Sequence, residues 1–202
     1  MTRGFNIALN LVWFVFGMYW LWSARRVKPS IQTEPPVKRF VAYWLPLIAA
    51  VLLLGPGEWY SHTALAEQFV PHSMPFESLG LFFCVVGATI ACWARHLLGE
   101  NWSATVQLKD NHRLITRGPY KVVRHPIYLG LMFLFVGNAV LVGDWRGVLA
   151  VVIVFLSFWR KLQLEERWLS QHFGESYREY AARTPALLPG IPVELIIGTK
   201  KS

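Results

Sequence analysis

Apolar residues in this chain gather into five long blocks instead of alternating with polar ones. They run from about Phe5 to Ala24, Phe40 to Gly55, Phe76 to Leu98, Ile127 to Val142 and Trp145 to Leu162. About 20 apolar helical residues cross a hydrocarbon layer, and helices apolar on every side do not suit the surface of a soluble domain. The second and fourth blocks are the shortest. Pro46 lies inside the second and predicts a kink of the kind that neighbouring helices satisfy. Beyond Leu162 the helical pattern continues but turns polar through Leu164-Glu165-Glu166-Arg167-Trp168-Leu169. Gly174 punctuates it, and Glu175 to Arg183 reads as one more short helix, closed by Pro185, Pro189 and Pro192. The expected class is all-α: a polytopic membrane protein with five transmembrane helices and a small C-terminal cytoplasmic cap, residues 163–202. Residues 1–75 supply the first two helices. Residues 76–202 form a core of the last three, with a cytoplasmic loop at 99–125.

Composition supports the bilayer as solvent, with 54% hydrophobic residues and a mean hydropathy of +0.35 over 202 residues. The net charge of +8 raises nucleic acid as a partner, but position decides against it. Of the 20 Lys and Arg residues, 18 fall in the loops and tail on one side of the five blocks, leaving Arg3 and Arg146 on the other. A nucleic-acid surface needs one basic stripe, whereas cytoplasmic loops need this alternation. The expected topology places the N-terminus outside and the C-terminus in the cytoplasm, in a bacterial-type inner membrane. The first block reads as a retained anchor, because dense positive charge follows it and Trp22 suits a cleavage site poorly. Cys84 and Cys92 lie about 12 Å apart along one helix and cannot bridge. They are expected to serve packing, with no metal site.

Two clusters on the basic side carry candidate chemistry. Arg124-His125-Pro126, followed by Tyr128 and Gly130, stands where the fourth block begins. Pro126 suits the first turn of a helix and holds His125 off helical angles, so both basic residues sit at a helix N-terminus that favours an anion. Gly130 and Gly137 give one face close approach to a ligand or to another helix. A basic pair reaching for lipid headgroups, with glycines for packing, is the plainer alternative. Glu165 and Glu166 lie at the membrane end of the fifth block. Neighbours on a helix diverge by about 100°, so they are not expected to face one point; one can pair with Lys161 or Arg160 while the other faces a pocket.

The ordered set Gly99-Glu100-Asn101-Trp102-Ser103, His112 to Tyr120, Arg124 to Gly130 and Glu165 to Leu169, then Phe173-Gly174, Tyr177, Tyr180, Arg183, Pro185 and Pro189, resembles the isoprenylcysteine carboxyl methyltransferase family. Its wider kin are membrane phospholipid methyltransferases. The likeness spans about residues 99 to 190. It implies a transmembrane enzyme that binds S-adenosylmethionine on the cytoplasmic side, releases S-adenosylhomocysteine and receives a lipophilic or lipidated substrate from the bilayer. Carried over by motif, His112, Tyr120, His125, Pro126, Tyr128, Gly130 and Glu165 or Glu166 line the cofactor. Arg124 and Arg183 stand near the methyl-accepting group, and Glu166 joins them as a catalytic candidate. A carboxylate can take the donor's ammonium, and His125 with the helix N-terminus its carboxylate. Two alternatives compete: an NADPH-dependent membrane reductase of the sterol type, which calls for more spans, and a non-catalytic membrane scaffold.

Overall fold

Each apolar block forms a helix because, away from water, a backbone can satisfy its N–H and C=O groups only internally. The computed structural model describes residues 2–25, 30–33, 35–99, 107–109 and 114–188. In chain order the elements are α1 (Arg3–Ala24), β1 (Ser30–Thr33), α2 (Pro36–Arg39), α3 (Leu45–Leu53), α4 (Met74–Leu98), β2 (Gln107–Lys109), α5 (Pro126–Val142), α6 (Trp145–Phe173) and α7 (Glu175–Arg183). A π-helical turn, Phe40–Trp44, joins α2 to α3 in one rod. By length and composition α1, the rod Pro36–Leu53, α4 and α6 can each cross a membrane; α5 is an apolar helix of 17 residues.

Three expectations change. The second helix begins at Pro36, four residues early, so Lys38 and Arg39 belong to its first turns instead of a loop. The stretch expected as a cap, 163–202, begins as part of α6, which runs unbroken to Phe173, and among the described residues the fold-back is α7 with residues 184–188. A short antiparallel pairing of β1 with β2 ties two basic-side segments together within an otherwise helical chain. Pro46 is accommodated without breaking the rod. It lacks an N–H for the carbonyl of Ala42 four residues back, and that carbonyl accepts a 2.8 Å hydrogen bond from Ser157 Oγ on α6.

The ends alternate as an up-and-down bundle requires. At one end the Thr2 N–H and hydroxyl both donate to Glu77 at 2.9 Å, tying the start of α1 to the start of α4. The Arg146 guanidinium there binds Asp144 and reaches Gly55 O at 3.3 Å, tying α6 to the end of α3. At the other, basic end, Arg95 is 2% exposed and donates to Ser23 O at 2.6 Å and to Gly99 O at 2.7 Å. It thereby satisfies carbonyls left over at the C-terminal ends of α1 and α4. Arg95 is accordingly part of α4 and not of the loop that follows.

The tightest joint lies between antiparallel α4 and α5. Gly80 faces Gly137 and Gly87 faces Gly130, seven residues apart on each helix. A methyl group on Gly80 would meet Gly137 O at 2.8 Å, and one on Gly130 would meet Gly87 O at 2.6 Å. Small residues permit such backbone approach where lipid supplies no hydrophobic drive. Cys84 is buried in this joint, as a packing role requires. A hairpin at Gly143 (φ 75°), with Asp144 capping α6 through the Arg146 N–H at 3.0 Å, then aims α6 back to the basic end.

Candidate active site at the basic end of the bundle

Pro126 opens α5 as its first residue, which leaves Arg124 and His125 in non-helical backbone just before the helix. The residues after α7 pair with that segment: the Arg124 N–H donates to Pro185 O at 2.9 Å and the His125 N–H to Ala186 O at 3.0 Å. The folded-back tail thus closes over the start of α5. Beneath it, α6 brings up Glu165 and Glu166.

Both carboxylates reach the same imidazole, contrary to the expectation from helical geometry. His125 Nε2 lies 2.6 Å from Glu166 Oε1, and Nδ1 lies 3.5 Å from Glu165 Oε2. The ring inserts between two side chains that diverge by about 100°, so each holds a different nitrogen. Burial by itself would lower the pKa of His125, but hydrogen bonds and charge from Glu165 and Glu166 outweigh it and push the value up to about 9. His125 is therefore held as an imidazolium, with Nε2 hydrogen-bonded to Glu166 and Nδ1 in a longer ionic contact with Glu165. A ligand carboxylate, the partner expected of it above, would compete with these two acids.

Glu166 is saturated. Arg124 grips it with two N–H groups, Nε to Oε1 at 2.9 Å and Nη2 to Oε2 at 2.8 Å, and the Tyr177 hydroxyl donates to Oε1 at 2.7 Å. The remaining Arg124 nitrogen, Nη1, donates to Ala181 O at 3.0 Å and to Thr184 O. Arg124 is 4% exposed, and these bonds to Glu166 hold its pKa up against desolvation. The two residues expected to meet the acceptor and the cofactor instead form a buried fork that locks α6, the start of α5 and the tail together. Buried carboxylate–guanidinium pairs persist only when every remaining polar atom is bonded, and here nearly all are.

Glu165 differs. Its side chain is 24% exposed. One oxygen accepts from the Tyr128 hydroxyl at 2.7 Å and the other faces His125, which leaves acceptor capacity open. Tyr128 stacks on His125 on one side, with centroids 5.5 Å apart, and on Phe158 on the other at 5.2 Å. Tyr120 is buried beside the cluster. Its hydroxyl donates to Ala94 O at 3.4 Å and its carbonyl accepts from Tyr180 at 2.6 Å.

Other candidates fall elsewhere. Gly130 spends its free face on Gly87 and Ala91 of α4, so of the two partners its spacing allowed, the structure shows a helix. Arg183 is exposed at the end of α7, and none of the cluster's hydrogen bonds or ion pairs among the described residues involves it. His112 lies outside the described residues. Three further residues matter. Tyr177 belongs to the recognised tail motif, but only the folded chain aims it at Glu166. Lys161 lies one helical turn before Glu165, its ammonium 5.2 Å from the Tyr128 ring and 5.5 Å from the ring of Tyr43. Tyr43 comes from the π turn in the N-terminal half, where Phe40, Tyr43 and Trp44 share one apolar run and nothing singles Tyr43 out.

Comparisons with known proteins identify the relatives of the chain. The model of the phospholipid methyltransferase family matches residues 76–176, half of the chain. The protein-S-isoprenylcysteine O-methyltransferase of Schizosaccharomyces pombe is 30% identical over 161 residues, which cover 75% of this chain and 68% of that one. The Mus musculus protein of the same name is 34% identical over 59% of this chain, which spans 44% of its length. The solved structure of the eukaryotic intramembrane Ras methyltransferase, isoprenylcysteine carboxyl methyltransferase, superposes with a TM-score of 0.54 at 22% identity, covering 79% of this chain and 55% of that one. The last shows a shared fold; the matches together make this chain a member of the isoprenylcysteine carboxyl methyltransferase family.

Proposed function

We propose that this chain is an integral-membrane methyltransferase that uses S-adenosylmethionine to methylate the carboxylate of a lipophilic, isoprenylcysteine-like acceptor. Names of relatives that act on isoprenylcysteine support this, and one observation in the structure carries it. Of two carboxylates at the basic end, Glu166 is buried and fully bonded, and Glu165 is partly exposed and keeps an open acceptor at the edge of an aromatic stack.

The donor set suits the cofactor. S-adenosylmethionine presents an α-ammonium, for which a half-exposed carboxylate fixed by Tyr128 and His125 is the natural partner. Tyr128, stacked on His125 and Phe158, fixes the position of that carboxylate. When bound, the cofactor supplies a sulfonium methyl group open to in-line attack. The protein's own residues do the rest. His125 and Tyr128 hold Glu165 in place. Arg124 and Glu166 hold the tail over the start of α5, which keeps water from the cluster. An acceptor carboxylate is already ionised at neutral pH and needs no general base, only a guanidinium to orient it. Because Arg124 is committed to Glu166, Arg183 is the arginine we assign to that task.

Five crossings, with the N-terminus outside and the tail in the cytoplasm, are the reading that the alternating helix ends and the segregated basic residues support. In that arrangement the site opens to the cytoplasm and to the inner leaflet, where a lipidated acceptor resides.

Calorimetric titration of the detergent-purified protein with S-adenosylhomocysteine, with NADPH as control, tests the cofactor. Binding of the nucleoside thioether alone supports the proposal, and binding of NADPH alone would replace it with a reductase. Incubation with radiolabelled S-adenosylmethionine and farnesylcysteine then tests the acceptor. Base-labile methyl ester should form, and Arg183→Ala should lose turnover while still binding S-adenosylhomocysteine.

A further inference from the structure

Just ahead of α5 the chain makes a short 3-10 turn, Gly118–Lys121, and the residues in and around it divide into two sets. Pro119, Tyr120 and Val123 are buried and fasten the turn to the bundle. Arg117, Lys121 and Val122 are exposed, Val122 at 57%. The Tyr180 hydroxyl donates to Tyr120 O at 2.6 Å, so α7 stands against the same turn. Among the described residues no ion pair involves Arg117 or Lys121.

Trp93 marks the depth of this turn. It lies near the end of α4, is 53% exposed, and a methyl group on Gly118 would meet its ring at 3.4 Å. An exposed Trp near the end of a membrane-crossing helix rests among lipid headgroups, where its ring finds apolar groups and its N–H finds acceptors. The turn packed on it therefore lies at headgroup depth. There Val122 enters the acyl boundary while the two cations beside it face phosphates. Because buried residues fix the backbone between them, Arg117 and Lys121 are presented as a pair. The diffuse positive charge of a cytoplasmic loop has no such framework. A zwitterionic headgroup would bring its own cation against this pair, and an anionic one does not.

We propose that Arg117 and Lys121 form a site for the phosphate of an anionic phospholipid in the leaflet that meets the basic end, with Val122 and the Trp93 ring against its glycerol and upper acyl groups. The site is separate from the carboxylate cluster and stands on the bilayer placement of the helices, not on the reading of the cofactor. It anchors the turn, and through Tyr180 the helix α7, to the membrane surface at the end where the proposed acceptor arrives.

Native mass spectrometry of the full chain tests the site, with the protein released from detergent micelles that hold equal amounts of phosphatidylglycerol and phosphatidylcholine. Wild type should retain phosphatidylglycerol in preference. Arg117→Gln or Lys121→Gln should each weaken that preference about fivefold, and the double variant should lose it. The pair Arg117→Lys with Lys121→Arg keeps both charges and should keep the preference. Arg25→Gln removes an exposed cation at the end of α1, on the same side of the membrane, and should change nothing. Equal retention of both lipids by wild type overturns the site, as does an undiminished preference in the double variant. A loss in Arg25→Gln as large as in Lys121→Gln means diffuse attraction and overturns it as well. Displacement by soluble glycerophosphate would reassign the site to free anions, and capture of an acidic peptide in place of lipid would reassign it to a protein partner; either result overturns the lipid. Both side chains are exposed, so melting temperatures in lipid-free detergent should match between wild type and double variant. That match separates a lost site from a lost fold.

Discussion

Two adjacent glutamates with the same charge and helix end up in different trades. Glu166 has a bidentate guanidinium, an imidazolium and a phenol; Glu165 has a phenol, a shared imidazolium and an open edge. The expected outcome is a split between stability and binding. Glu166→Gln should lower stability by about 3–5 kcal/mol, because it leaves Arg124 buried without its partner. Glu165→Gln should change the melting temperature little and cost at least tenfold in S-adenosylhomocysteine affinity. Thermal melts and calorimetry on the two variants decide it, and equal effects in both assays would sink the distinction. His125 gives a pH prediction. Its folded-state value of about 9 lies above the 6.5 of a free imidazole, so its stabilisation is complete below about pH 6.5 and is lost as pH rises through 9. Melting temperature should fall between pH 7 and 10 in the wild type, and His125→Gln should flatten that slope.

At the scale of elements, the α4–α5 joint depends on the absence of side chains. Ala is a better helix former than Gly by up to about 1 kcal/mol, so Gly17→Ala on α1, with nothing within 4 Å, should be neutral or mildly stabilising. Gly87→Ala would drive a methyl into Gly130 O and Leu134 N. Overpacking of this kind costs about 1–3 kcal/mol and should outweigh the helix gain. Denaturation of the two variants in the same detergent is the comparison to make. Because α5 starts at the site, a displaced joint should also weaken cofactor binding. Gly130 and Gly137 were visible in the sequence as a close-approach stripe, but the partner was not, since spacing along one helix says nothing about what lies across from it.

For the molecule as a whole, alternating ends and segregated charge make a topological prediction. Ser61 lies in the exposed loop between α3 and α4, and Ser176 is exposed on α7. With five crossings, Ser61→Cys in intact cells should react with a membrane-impermeant thiol reagent, while Ser176→Cys should react only after the cells are opened. Cys84 is buried and Cys92 half-buried within α4, so the background should be low. Labelling of both sites from one side would remove a crossing.

The sequence by itself determined the helices, their order and the gathering of basic residues at alternate helix ends. Each follows from a local rule: twenty apolar residues must form a helix in hydrocarbon, a proline suits a first turn, and Lys and Arg stay on one side of a bilayer. The ordered motifs likewise pointed to the family. Only the tertiary structure decided what each polar group does there. Whether a carboxylate binds ligand or locks the fold depends on which groups from other elements reach it. His125 comes from before α5, Tyr177 from α7, and Tyr43, through Lys161, from the N-terminal rod. Those neighbours lie 11 to more than 100 residues away, and only packing in three dimensions brings them to one point.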